Sequence, residues 1–273
     1  MITKRYLMGA AAASLMAIAG SAFAGEALDR VMSNNVLKVA TDANWPPQSF
    51  VNENNEMDGF DVDVARAIAE RLGVGIEFVT PDWGVITAGR WNGRWDISVG
   101  SMTPTKERAT VLDFPAVYYY TPNSLGVHED STATTPSDLS GKVVGATEAT
   151  TYYYYLDHSL VIDGQDINFQ IDPGEIRSYP STAPGLDDLR LGDGVRLDGI
   201  IAGFPPLVKA IEDGYPIKIV GDPLFYEPLT VAIDRGDKEF NDKLAEIIEA
   251  MHEDGTLTEI SLKWFNHDFT KGY

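Results

Sequence analysis

Ser101, Thr103 and Arg108 lie close together in the segment Trp95-Asp96-Ile97-Ser98-Val99-Gly100-Ser101-Met102-Thr103-Pro104-Thr105-Lys106-Glu107-Arg108. Two hydroxyls and a guanidinium at this spacing are the parts of a socket for a small carboxylate. Gly100 lets a ligand approach the backbone. Ser101 and Thr103 offer hydroxyls and backbone groups. Pro104 suits the first turn of a helix, where its missing N–H costs nothing. The first N–H groups of such a helix favour an anion, and Arg108 can grip a carboxylate with two parallel hydrogen bonds.

Such a socket needs elements to hold it. Residues 36–41 read as a strand. Residues 62–72 read as a helix with Val62, Ala65, Ile68, Ala69 and Leu72 on one face, Asp61 as N-cap and Gly73 as its stop. A second strand over 75–79, a short helix over 83–91 and a third strand over 96–99 follow. This succession predicts a parallel sheet with right-handed crossovers. Ligands on such sheets sit at the carboxyl ends of the strands, and Asp42, Trp83, Ser101 and Thr103 all fall there. The middle of the chain repeats the plan, with strands over 142–146, 166–171, 197–202 and 216–220, and a helix from about Tyr152 after the loop Thr147-Glu148-Ala149-Thr150-Thr151. Thr121-Pro122-Asn123 and Asp222-Pro223 read as two crossings. A strand over 229–233 then returns, packed by a helix over 240–251 with Leu244, Ile247, Ile248 and Met251 inward. The expected fold is α/β in two lobes, the first built from 25–121 and 225–273, the second inserted as 122–224. Two strands crossing between rigid lobes make a hinge.

The socket segment resembles the Ser-x-Thr/Ser-x-Thr-x-x-Arg signature of the family 3 extracytoplasmic solute-binding proteins, the amino-acid receptors of bacterial ABC importers. Lys38-Val39-Ala40-Thr41-Asp42 through Trp45-Pro46-Pro47, Gly59-Phe60-Asp61-Val62-Asp63, and Asp254-Gly255-Thr256-Leu257 with Lys263-Trp264-Phe265 resemble further family motifs in the family's order. The resemblance implies a type II periplasmic-binding fold and a ligand held between the lobes. It assigns the ligand carboxylate to Arg108 and to the backbone N–H of Thr151. It assigns the α-ammonium to Ser101 and Thr103, the side chain to a sandwich of Trp45 and Trp83, and the distal polar end to Asp42. Two aromatic faces suit an aliphatic stem and a cation, so a polar or basic amino acid is expected. Tyr152 is expected to line the cleft. One position departs from the pattern: the aspartate that pairs with the α-ammonium is replaced by Gly203. An unpaired buried ammonium is costly, so either another carboxylate takes the place, with Glu148 the nearest in sequence, or the ligand lacks a standard α-amine.

The alternative implied by the same resemblance is an enzyme like the periplasmic cyclohexadienyl dehydratases, with Glu148 as general acid. Against it, His128, His158, His252 and His267 fall outside the expected cleft, and no metal-ligand spacing or nucleophile elbow appears. Neither catalytic residues, nor a metal, nor a cofactor is therefore expected.

The chain has 21 Lys and Arg against 41 Asp and Glu, a net charge of −20, which makes nucleic acid and anionic membrane poor partners. It has no cysteine, which excludes disulfides, thiolate metal sites and a lipidated N-terminal cysteine. Lys4 and Arg5, the apolar residues 6–19 and Ala22-Phe23-Ala24 read as a secretory leader cleaved after Ala24. The expectation is a freely diffusing periplasmic monomer that serves a membrane permease.

Overall fold

The computed structural model describes residues 26–162 and 165–271; the expected leader lies outside them. In chain order the elements are α1 (Glu26–Asn34), β1 (Val36–Ala40), β2 (Asn44–Trp45), β3 (Ser49–Val51), β4 (Met57–Asp58), α2 (Phe60–Leu72), β5 (Gly75–Val79), α3 (Trp83–Thr87), β6 (Ile97–Met102), β7 (Leu112–Asp113) and β8 (Val117–His128). There follow β9 (Val143–Thr147), α4 (Thr151–Leu156), β10 (Glu175–Tyr179), α5 (Thr182–Leu189), β11 (Gly199–Gly203), α6 (Phe204–Glu212), β12 (Ile217–Asp234), α7 (Lys238–Glu253) and α8 (Thr256–Phe265).

The main sheet runs β10-β9-β11-β8-β12-β6-β1-β5, and β2 to β4 form a small sheet of their own. β5, β1 and β6 are parallel, as are β10, β9 and β11. The long antiparallel pair β8 and β12 joins these two halves. Each half buries both faces of its sheet, as parallel strands require. On one side of the first half Leu37, Val39, Phe60, Ile68, Leu244 and Ile248 pack together, and on the other Ile86, Trp91, Trp95 and Met102. The second half packs Val144, Tyr155 and Phe225 on one side and Leu189, Leu197 and Leu207 on the other.

Several elements differ from the sequence expectation. Asp61 is not the N-cap of α2. Gly59 holds that position, and the N–H groups of Phe60 and Asp61 donate to the carbonyls of Pro47 and Gln48. The backbone of the 47–48 loop thus does the capping, which frees the Asp61 carboxyl to turn inward. No helix starts at Pro104. Residues Arg108–Thr110 form only a single 3₁₀ turn, and the Arg108 side chain is buried. The short helix after Asp82 ends at Thr87 rather than reaching Trp91. Residues 166–171 form no strand, although Ile167, Phe169 and Ile171 face the second-half core. Their backbone pairs with a side chain instead: the Tyr155 hydroxyl donates to the Asn168 carbonyl and accepts from the Gln170 N–H. The third parallel strand of this half is β10. Finally, the strands expected over 216–220 and 229–233 are one continuous β12, with its register broken between Val220 and Phe225.

Candidate ligand-binding site

A cavity lies between the two halves, within an empty space of about 460 Å³ that includes open solvent. The first half contributes Asp42, Trp45, Trp83, Gly100, Ser101, Thr103 and Arg108, the second Thr147, Thr150, Thr151, Tyr152 and Thr182, and the joining strand β12 contributes Glu227. Nine residues singled out from the sequence therefore come together: Asp42, Trp45, Trp83, Gly100, Ser101, Thr103, Arg108, Thr151 and Tyr152. Glu148 and Gly203 do not line the cavity. Glu148 is exposed, on a turn whose next residue, Ala149, adopts a left-handed conformation with φ 57°.

Arg108 is 5% exposed. One terminal nitrogen, Nη1, donates to the Thr103 carbonyl at 2.9 Å, and Nη2 donates across the cleft to the Ala149 carbonyl at 2.7 Å. Its Nε is buried with no partner. Among the described residues no carboxylate forms an ion pair with it. Burial lowers its pKa, opposed chiefly by the charge of Glu227. The guanidinium carbon lies 5.6 Å from the centre of the Trp83 ring, and the Trp83 indole N–H donates to the same Ala149 carbonyl at 3.2 Å. One carbonyl of the second half thus receives two donors from the first.

Gly100 lines the cavity as expected and also has a packing role. A Cβ there would lie 3.2 Å from Cζ3 of Trp83, so the glycine makes room for the indole. Ser101, at the end of β6, has φ 55°, which is costly for a residue with a side chain. The conformation is held from behind. The Ser101 N–H donates to the Tyr118 hydroxyl at 2.8 Å, and Tyr118 donates to Asp61 at 2.7 Å. The Ser101 hydroxyl donates to the same carboxyl, with oxygens at 2.8 and 3.0 Å, and shares a bond with the Tyr119 hydroxyl. Burial pushes the Asp61 carboxyl up to about 7, against the lowering effect of bonds from Tyr118 and Ser101.

Asp42 accepts the Asn44 N–H at 2.8 Å; burial raises its pKa, and the neighbouring charge of Asp82 adds to the rise. Trp45 lines the cavity with its indole nitrogen buried and unpartnered. Thr151 opens α4, which Thr150 caps by accepting the Tyr153 N–H. The hydroxyls of Thr103 and Thr151 both donate to Oε2 of Glu227, the latter at 2.8 Å. Glu227 is 2% exposed, and burial raises its pKa against the lowering effects of the two threonines and Arg108.

Glu227 was not legible as a site residue. Its signal lies in Phe225-Tyr226-Glu227-Pro228-Leu229-Thr230-Val231, where one acid stands among residues of a strand central to the sheet. A buried acid is rare unless it has a partner. Thr147 and Thr182 are also new to the lining, and nothing but tertiary position marks them.

The family model described as bacterial extracellular solute-binding proteins, family 3, matches residues 37–267. The chain is 29% identical to the L-cystine-binding protein TcyJ of Escherichia coli strain K12 over 98% of this chain and 97% of that one. It is 27% identical to an L-arginine-binding protein of Pseudomonas aeruginosa, with 97% of each chain covered. Among solved structures it is similar to an ancestral amino acid-binding protein described as a precursor of cyclohexadienyl dehydratase, with a TM-score of 0.74 and 28% identity, covering 87% of this chain and 98% of that one. With the two-lobed fold and the motifs of the cavity wall, the match over most of the sequence makes this chain a member of the bacterial extracellular solute-binding proteins, family 3.

Proposed function

We propose that the protein is the periplasmic receptor of an ABC importer, working as a monomer after removal of residues 1–24, and that it holds an α-amino acid with a polar or basic side chain between lobes 25–121 with 225–273 and 122–224. The observation that carries this reading is Arg108: a guanidinium enclosed in the interlobe cavity, its Nε without a partner and no ion pair of its own among the described residues. A buried charge is stable when it is paired, and a planar donor fork matches a carboxylate. Trp45, Trp83 and Asp42 line the same cavity and suit an aliphatic stem ending in a polar or cationic group. Relatives of nearly the whole length bind cystine or arginine by their names, which supports an amino acid as ligand and a membrane permease as partner.

The dehydratase alternative draws on the likeness to the dehydratase precursor. Its candidate acid, Glu148, is exposed and off the cavity wall, so the binding reading is preferred. A thermal-shift panel of common amino acids, ornithine and prephenate tests the choice. A ligand at a hundred times its dissociation constant adds about 2.7 kcal/mol. A clear rise in Tm with a polar or basic amino acid, and no turnover of prephenate, is the expected outcome. Turnover of prephenate without any amino-acid response would overturn the proposal.

A further inference from the structure

The family pattern expects an aspartate at position 203, and the structure explains what stands there instead. A Cβ on Gly203 would lie 3.3 Å from the Tyr152 hydroxyl and 3.9 Å from Oδ1 of Asn123. The Tyr152 phenol fills the space that an aspartate would use. Among the described residues the cavity wall has two acids, Asp42 and Glu227. Asp42 follows β1 and accepts the nearby Asn44 N–H, next to the two tryptophans in the sequence-implied side-chain subsite. Glu227 is on β12, the strand shared by both halves, and is nearly inaccessible.

Glu227 and Arg108 are tied to the same residue. The Thr103 carbonyl accepts from Nη1 of Arg108, and the Thr103 hydroxyl donates to Glu227. The two opposite charges therefore lie on either side of one threonine, yet they form no ion pair. That is the arrangement needed by a ligand whose own opposite charges are separated by a single carbon: a carboxylate for Arg108 and an ammonium for the acid. Thr151 closes the same acid from the second half, so the contact spans the cleft. With Arg108 as one positive charge and Asp42 and Glu227 as two negative ones, a zwitterion of zero net charge would leave the half-buried Asp42 without an opposite charge once the ligand lies over it. A ligand with one extra positive charge supplies it.

Resting on the amino-acid reading above, we infer that Glu227 is the counter-charge for the ligand's α-ammonium in place of an aspartate at 203, and that with Asp42 it selects a cationic α-amino acid.

The test is calorimetric titration of the wild-type protein and of Glu227→Gln with L-arginine, L-lysine, the neutral L-citrulline, and the des-amino analogues 5-guanidinopentanoate and 6-aminohexanoate. The amide keeps an oxygen for both threonines and removes the charge. Wild type is expected to bind arginine or lysine at least about tenfold more tightly than citrulline. Glu227→Gln should lose about 30-fold or more for that amino acid, since loss of one partner of a buried pair has effects of this order, while affinity for its des-amino analogue changes less than about threefold. Equal losses for both ligands, or none for either, would overturn the role of Glu227. Tighter binding of a neutral amino acid than of arginine and lysine would overturn the charge selection. Binding of no amino acid at all by wild type would remove the underlying reading as well. Should Glu227→Gln fail to fold, Glu227→Asp keeps the charge and shortens its reach. That variant should weaken amino-acid binding and leave the des-amino analogue unaffected, and undiminished amino-acid affinity would overturn the inference.

Discussion

Asp61 shows at the residue scale how one side chain supports a cavity that it does not itself line. Its carboxyl receives Tyr118 and Ser101, and these hold Ser101 in a backbone conformation that a serine does not adopt unaided. The folded-state pKa of about 7 stands above the ordinary 3.8. Its contribution to stability is therefore fully present below pH 3.8 and is lost as pH rises through about 7. Asp61→Asn should flatten the dependence of the urea midpoint on pH across that window; an unchanged slope would assign the titration to another group. The sequence put this acid at a helix cap because aspartate before an amphipathic run is a common cap. It could not show that the Pro47 and Gln48 carbonyls would take that task. Arg108, Ser101 and Thr103 were legible because their spacing is local. Glu227 was not, because its meaning depends on Thr103 and Thr151, which are distant in sequence and adjacent in space.

At the scale of elements, the joint between the 47–48 loop and α2 is what sets Asp61 in place. Gly59 has φ 128°, and a Cβ there would lie 2.3 Å from the Gln48 carbonyl oxygen. Gly59→Ala must move one backbone or the other. It is expected to lower stability by about 1–3 kcal/mol, seen as a reduced Tm, and a Tm equal to wild type would show that the joint yields freely. Strand and helix periodicity was legible wherever the partner was another strand or a core. Residues 36–40, 75–79 and the inward face of α7 are such cases. It misled over 166–171, where alternating apolar residues do face a core but the backbone bonds to the Tyr155 hydroxyl. Alternation reports which side is buried, not what the backbone pairs with.

At the scale of the whole molecule, two buried opposite charges, Arg108 and Glu227, stand where the two halves meet. Each half has its own packed cores, so the halves can act as bodies linked by β8 and β12. The Ala149 carbonyl bridges them by accepting from both Arg108 and Trp83. A ligand carboxylate would compete for the same Arg108 donors, which ties binding to the contact between the halves. The net charge of −20 is a solubility feature and does not choose the ligand; on the proposed reading that choice falls to Arg108, Asp42 and Glu227, which line one cavity. On the proposed reading, the buried Arg108 receives the carboxylate of an amino acid. The most direct test is isothermal titration of wild type and Arg108→Gln with the amino-acid panel and with the decarboxylated amines of whichever ligands bind. The expected result is one-to-one binding of at least one amino acid at micromolar affinity or tighter, about −8 kcal/mol, with a loss of about 2–5 kcal/mol in Arg108→Gln and little binding of the amine that lacks the carboxylate. An amine bound as tightly as its parent amino acid, or an Arg108→Gln protein with undiminished affinity, would contradict it.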